Sequence, residues 1–296
     1  MEDFKLDKPE PGKNFVATKR TDTYPYIDPL KTNFAGKYFL VTGASKGVGK
    51  AMAISFAKAG ASGIALLARS DLSTVAAEVG DVAAEAGRPK PKVLVLKADT
   101  TNSDEVLAAA RRIEQEFGQL DVLINNAGYL ETWTKVAESD PDEWWKTFEV
   151  NVKGTYLMSR ALIPLLLKGG EKTIIQITSA GGIAISPTAS AYQTSKQAVI
   201  RFNDFLMAEY GEEGLLAYAL HPGGVNTDLA RGMPEYMYGV LTDTPELCGD
   251  TVVWLTKERR HWLADRYVSV QWDMEEFLSK RKEIEDNNLL RIRLRM

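Results

Sequence analysis

In AYQTSKQAVI (191–200), Tyr192 and Lys196 stand four residues apart, with Ser195 between them. On a helix that spacing puts both side chains on one face. A phenol beside an ammonium is either surface decoration or an acid–base pair, and the ten residues alone leave both readings open. A tyrosine with a pKa of about 10 is a poor base at neutral pH, and a neighbouring cation favours its phenolate. Such a pair can exchange a proton with a carbonyl or alcohol oxygen if other residues hold the reactants in register.

A second stretch offers a seat for phosphate. TGASKGVGK (42–50) places Gly43, Gly47 and Gly49 between a short apolar run and a helical pattern. Glycines permit a tight turn and close backbone approach. The helix N-terminus presents free N–H groups and the positive end of its dipole to a pyrophosphate. A glycine-rich turn without a ligand is the alternative, but the strand–turn–helix context is what a phosphate loop requires.

The elements that must position these residues follow from periodicity. Short apolar runs predict strands at 37–43, 63–69, 92–99, 120–128, 172–179, 215–223 and 266–272. Helical spacing predicts helices over 48–60, 72–87, 103–118, 142–168, 189–210 and 246–257, with Ser103 as the cap and Gly118 as the stop of the third. The strands read as continuous rather than alternating apolar runs, as in a sheet covered on both faces. Regular alternation of strand and helix implies an α/β fold: a doubly wound, mostly parallel sheet of about seven strands with helices on both faces. Residues 1–35 are polar and hold Pro9, Pro11, Pro25 and Pro29, which predicts an extended N-terminal arm, wrapped on the surface or partly mobile. Residues 36–272 form one dinucleotide-binding and catalytic domain in this reading. Residues 273–296 form a C-terminal tail, a helix followed by a basic extended end.

Composition excludes several classes. The chain has 296 residues, 45% hydrophobic and 26% charged, with a net charge of −4, so neither nucleic acid nor an anionic membrane is an expected partner. One cysteine, Cys248, rules out an internal disulfide and argues for a reducing compartment. The two histidines, His221 and His261, stand far apart, so a zinc site of the usual kind is not expected. No stretch suits a signal peptide or a membrane span, which makes the cytoplasm the expected location.

The glycine spacing is T-G-x-x-x-G-x-G, and it resembles the short-chain dehydrogenase/reductase family in its single-domain branch. The resemblance covers about 36–272, and further motifs follow in the family's order. They are ADT (98–100), NNAG (125–128), NVKG (151–154), ITSA (177–180), YQTSK (192–196) and HPGGVNT (221–227). It implies a Rossmann-type fold and hydride transfer between a nicotinamide and a carbon bearing oxygen. Tyr192 would be the general acid/base. Lys196 would lower its pKa and bind the nicotinamide ribose. Ser179 would hold the substrate oxygen, and Asn151 would anchor a water that relays protons from Lys196 to solvent. Ser195 receives no role. Cofactor binding would fall to Gly43, Ser45, Lys46, Gly47, Val48 and Gly49 of the glycine loop. Asp99 and Thr100 would sit by the adenine. Asn126, Ala127 and Gly128 would lie along the cofactor, and Pro222, Gly223, Val225 and Thr227 by the nicotinamide, where Tyr192 and Lys196 also reach it.

LLARS (66–70) ends the second strand with Ala68 where an NAD-binding member has an acid, then Arg69 and Ser70. Arg grips a 2′-phosphate that an acid would repel, and Lys46 adds a second cation, so NADP(H) is the expected cofactor. The pocket walls would be 181–190 and 227–243. Leu229, Met233, Tyr236, Met237, Tyr238 and Val240 either face a sizeable apolar ketone or alcohol or pack the lid to the core. Trp145 is read either as a contributor to the pocket or as core. Arm, ending and lid also look similar to reductases of fungal secondary metabolism. Family members usually pair through two long helices, here 142–168 and 189–210, which implies a homodimer or homotetramer. A different function, an NADP(H)-binding regulator or cyclase with diverted chemistry, conflicts with the retained Asn151, Ser179, Tyr192 and Lys196. A sugar-nucleotide epimerase would need another glycine spacing and a larger C-terminal domain.

Overall fold

The computed structural model describes residues 10–294; positions 1–9 of the arm and 295–296 of the tail lie outside it. Seven strands form one parallel sheet: β1 (Tyr38–Thr42), β2 (Gly63–Ala68), β3 (Lys92–Lys97), β4 (Val122–Asn125), β5 (Thr173–Ile177), β6 (Leu216–His221) and β7 (Tyr267–Ser269). Their order is β3-β2-β1-β4-β5-β6-β7, so the winding reverses between β1 and β4. The crevice at that reversal, beyond the strand carboxyl ends, is where open α/β sheets bind ligands. The fold class is the expected one.

Successive strand residues point to opposite faces, and each face has its own core. Phe39, Val41 and Ile64 pack against α1 (Gly47–Lys58), α2 (Ser73–Glu85) and α7 (Pro245–Thr256). Leu40, Leu123 and Ile174 pack against α3 (Ser103–Phe117), α5 (Thr155–Leu166) and α6 (Ser190–Tyr210). The central strands are buried throughout, as their apolar runs predict. β3 departs from that reading: it is the edge strand, and it alternates between exposed and buried residues because part of it faces solvent.

Two helical expectations need correction. Asn102, not Ser103, caps α3, accepting from the N–H groups of Asp104 and Glu105. The helix over 142–168 is also not continuous. It begins as α4 (Pro141–Phe148), widens into a π-helical segment over Glu149–Gly154, and resumes as α5. Asn151 sits in the widened turn, and such turns accommodate a side chain that a regular helix would misdirect. The last strand stops at Ser269 instead of 272. The tail forms two short helices, α8 (Met274–Ser279) and α9 (Arg281–Asp286).

The described part of the arm runs in turns and bends yet buries Val16, Tyr24, Ile27 and Phe34 in the core beside Trp272 and Phe277. Arg20 pairs with Asp273 at 2.7 Å, and Lys19 bridges to Trp272. No helix among the described residues is long and apolar enough to cross a membrane.

Candidate active site

The glycine loop joins β1 to α1 against the NNAG turn after β4. Gly49 has no room for a side chain, since a Cβ there would meet Gly43 O and lie 2.6 Å from Asn126 Nδ2. Gly43 has φ +64, and its own Cβ would stand 3.0 Å from Ala127 Cα. Asn126 holds the two segments together, donating from Nδ2 to Thr42 O at 2.8 Å. α1 starts at Gly47 with no side-chain cap from Lys46, so its first turn keeps N–H groups for a ligand. The result is a close-packed turn that opens onto a helix N-terminus. Ser45 and Val48 lie half-buried in it.

The candidate catalytic residues come from three elements. Ser179 follows β5, and its hydroxyl faces the phenol of Tyr192 on the first turn of α6. Lys196, one turn on and 5% exposed, holds its ammonium 5.6 Å from the Tyr192 ring centroid and donates to Ile177 O at 2.8 Å. Asn151 reaches the group indirectly. Its Nδ2 donates to Ser195 Oγ at 2.9 Å, and that hydroxyl donates to Tyr192 O at 2.7 Å. Ser195, which the sequence leaves without a role, is therefore the bridge between Asn151 and the catalytic helix. The rest of the Asn151 amide clasps Tyr129, accepting from its N–H at 2.8 Å and donating to its carbonyl at 2.9 Å.

The electrostatics differ from the simple picture of an ammonium lowering a phenol's pKa. Burial pushes Tyr192 up to about 12, the Ser179 hydroxyl opposes this, and the charge of Glu131 adds to it. Burial also pushes Lys196 down to about 8. Desolvation is the largest cause for both groups. It favours the neutral phenol of Tyr192.

Glu131 escaped the sequence reading. It lies in the loop after β4, 5% exposed, and accepts from the N–H groups of Ala191 at 3.1 Å and Tyr192 at 2.9 Å. An acid three residues past NNAG carries no motif that would reveal this. His221 was read only as a poor zinc candidate. Its Nδ1 accepts from Ala180 N at 3.2 Å, so it braces the turn that carries Ser179.

On the adenosine side, Arg69 and Ser70 are exposed beyond β2, Asp99 is half-buried, and Thr100 is buried. Asp99 accepts from Thr101 N at 2.9 Å and pairs with Arg69 at 3.5 Å. Arg69 and Asp99 line a depression of about 430 Å³ with Trp145 and Lys146. Trp145 is 62% exposed there and is not core. Lys46 does not turn towards Arg69 in this structure. It pairs with Asp228 at 2.5 Å.

The lid begins at the nicotinamide side of the cradle. Pro222 and Gly223 follow β6, Val225 is buried, and Thr227 Cγ2 stands 3.0 Å from the position of a Cβ on Gly47. Leu229 Cδ1 comes within 3.6 Å of the corresponding position on Gly128. The lid continues as short 3-10 turns at Ala230–Gly232 and Glu235–Val240.

Comparison with known proteins agrees with this arrangement. The family described as short chain dehydrogenase matches residues 37–236. The chain is 49% identical over 286 residues to short chain dehydrogenase mpl6 of Monascus purpureus, covering 97% of this chain and 98% of the relative. It is 44% identical to short chain dehydrogenase pigC of Monascus ruber, covering 94% and 93%. Among solved structures, the oxidoreductase yciK of E. coli superposes with a TM-score of 0.72 at 29% identity, covering 84% of this chain and 99% of that one. Carveol dehydrogenase of Mycobacterium avium, in complex with NAD, superposes with a TM-score of 0.70 at 19% identity, covering 79% and 96%, and supports the fold alone. With a matched family, relatives along nearly its whole length and this geometry, the chain belongs to the short-chain dehydrogenase family and is an oxidoreductase.

Proposed function

We propose that this chain transfers hydride between NADP(H) and a ketone/secondary alcohol pair, with Tyr192 as general acid/base. The observation that carries the reading is the meeting of Tyr192, faced by the Ser179 hydroxyl, with the buried ammonium of Lys196, 5.6 Å from its ring and one helical turn on. The nicotinamide, when bound, supplies or accepts the hydride. The residues do the rest. Ser179 holds the substrate oxygen beside the phenol, Tyr192 gives that oxygen its proton in reduction, and Lys196 stands next in line to restore it. Lys196 would also hold the nicotinamide ribose, and Asn151 a relay water.

The cradle built by Gly43, Gly47 and Gly49 fits a dinucleotide pyrophosphate, and Arg69 with Lys46 favours a 2′-phosphate. Both cations are paired with carboxylates here, but the pairs are exposed. An exposed pair is worth about 0.2–1 kcal/mol, so a phosphate dianion can displace either carboxylate. Asp99, Thr100, Asn126, Ala127 and Gly128 would flank the rest of the nucleotide, and Pro222, Gly223, Val225 and Thr227 the nicotinamide.

A sizeable apolar substrate, of the kind handled in fungal secondary metabolism, is supported by the lid. Tyr236 is 74% exposed, and no residue of Glu235–Val240 is buried, so these side chains do not serve as core. Exposed Tyr156 on α5 and Phe205 on α6 support self-association through those helices.

The test compares turnover of apolar ketones with NADPH and NADH, in the wild type and in Tyr192→Phe. The variant should lose at least about a hundredfold in kcat. NADPH should be preferred by about tenfold or more, since its 2′-phosphate offers Arg69 a dianion in place of the exposed pair with Asp99. Wild-type rates in Tyr192→Phe, or equal use of NADH, count against the respective assignment.

A further inference from the structure

The catalytic helix begins without a cap of its own. Ala189 occupies the N-cap position of α6 and has no side chain able to accept a hydrogen bond. Free N–H groups in a first turn need a partner when they are not solvated. Here the partner comes across space. Glu131 accepts from Ala191 N at 3.1 Å through Oε1, and from Tyr192 N at 3.1 Å through Oε1 and 2.9 Å through Oε2. The N–H of Tyr192 itself is thus gripped by both oxygens of one buried carboxylate.

The loop that carries Glu131 is in turn fixed at both sides. Two residues earlier, Tyr129 is clasped by the amide of Asn151. Three residues later, Thr134 N donates to Thr188 O at 3.0 Å, in the segment leading into α6. Glu143 of α4 steadies the same loop, accepting from Tyr129 OH at 3.1 Å and from Thr132 N at 3.2 Å. A second route from Asn151 runs through Ser195 to the Tyr192 carbonyl. The backbone of Tyr192 is therefore held at its N–H by Glu131 and at its C=O by Ser195.

We propose that Glu131 is a positioning residue for proton transfer: from the loop after β4 it caps α6 across space and fixes Tyr192 opposite Ser179. The proposal rests on Tyr192 being the acid/base. Its physical basis is twofold. Tyr192 occupies the third helical position, so fraying of an uncapped first turn would move the phenol directly, and small displacements at a reacting atom are expensive in rate. The carboxylate also brings a negative charge to the phenol. Charges that face Tyr192 are Glu131 and, from its own helix, Lys196; Glu143 faces Glu131. Glu131 opposes formation of the phenolate and keeps the donor loaded.

The experiment uses Glu131→Ala, Glu131→Gln and Tyr192→Phe in the full chain. Turnover is read with NADPH and phenanthrenequinone, an apolar vicinal diketone, together with NADPH affinity and the urea midpoint. The ionisation of Tyr192 is read separately, as the phenolate absorbance of each protein minus that of its Tyr192→Phe counterpart. This titration needs no substrate. In the alkaline range where the phenol titrates, Glu131 is ionised, so its charge is present in the wild type and absent from Glu131→Gln. Glu131→Ala should lose about tenfold or more in kcat with NADPH affinity kept within about twofold. Glu131→Gln, which still offers an oxygen to the N–H groups, should restore most of kcat. Its Tyr192 titration should move to lower pH by about half a unit or more.

Wild-type kcat in Glu131→Ala overturns the proposal. So does a Tyr192 titration left unmoved in Glu131→Gln, because the carboxylate would then not face the phenol. Equal loss of rate, NADPH affinity and stability in both Glu131 variants also overturns it, by assigning Glu131 to the fold alone. If Tyr192→Phe remains active, the acid/base reading fails instead, whatever the Glu131 variants do.

Discussion

At the scale of single residues, the site is governed by desolvation. Tyr192 and Lys196 are pushed in opposite directions, up to about 12 and down to about 8, and burial is the largest cause of each. The Tyr192 phenol therefore keeps its proton over a wider range than the Lys196 ammonium does. His221 shows the same physics with a consequence for stability. Burial lowers it from 6.5 to about 4, against the raising effect of the Gln271 side chain. Between those values the unfolded chain binds the proton more readily than the folded one. Its contribution is thus full above pH 6.5 and is lost as pH falls towards about 4. Allowing for partial exposure of the ring, the loss is on the order of 1–3 kcal/mol. Urea titrations through this window should show a falling midpoint in the wild type and a flatter one in His221→Gln. Parallel curves would remove His221 from the account.

At the scale of elements, close backbone approach separates glycines that are required from those that are not. α1 and α7 cross where a Cβ on Gly249 would stand 2.5 Å from Ser55 Oγ and 2.7 Å from Ala51 O. Gly249→Ala should force the helices apart at about 1–3 kcal/mol, measured as a lower urea midpoint. Gly80, inside α2, is the contrast. Its nearest neighbour would be the flexible Lys90 Cδ at 3.8 Å, and no positive φ constrains it. Gly80→Ala should stabilise the chain by about 0.4–1 kcal/mol, because alanine loses less entropy in a helix. An equal response at the two positions would mean that the α1–α7 crossing yields freely. The π-helical turn at Glu149–Gly154 is the other elemental device. It breaks one long helix so that Asn151 can clasp Tyr129 and reach Ser195.

At the scale of the whole molecule, the chain's two ends close over one side of the core. Asp273 caps α8 through Glu275 N and Glu276 N and pairs with Arg20 of the arm. Asp250 of α7, largely buried, accepts from Thr23 of the arm and from Ser55 of α1 at 2.7 Å. Trp272 packs against Phe15 and Phe277 with ring centroids 5.2 and 5.3 Å away. Asp273→Ala removes both a cap and an ion-pair partner and should cost about 2–3 kcal/mol in urea unfolding. A change below about 0.5 kcal/mol, the usual size of a surface substitution, would show that arm and tail are held by their apolar contacts alone.

The amino-acid sequence by itself determined the α/β winding, the order of the motifs along the strands and the family they mark. Period, glycine spacing and motif order are local in the chain, and local signals survive without coordinates. That is why TGASKGVGK, NNAG and YQTSK were legible, and why the sheet and nearly all its helices followed. Edge status, caps and π turns were not legible, since each depends on what lies opposite: solvent beside β3, Asn102 before α3, Tyr129 across from Asn151. Only the tertiary structure decided that Lys46 turns to Asp228, that the lid's aromatics stand outside the core, and that Ser195 links Asn151 to the catalytic helix. It alone brought Glu131, 61 residues away in sequence, to the N–H of Tyr192. Contacts across such separations are set by the packing of strands and helices, which no short stretch encodes. The strength of charges near Tyr192 is likewise a property of burial, and burial exists only in the folded chain.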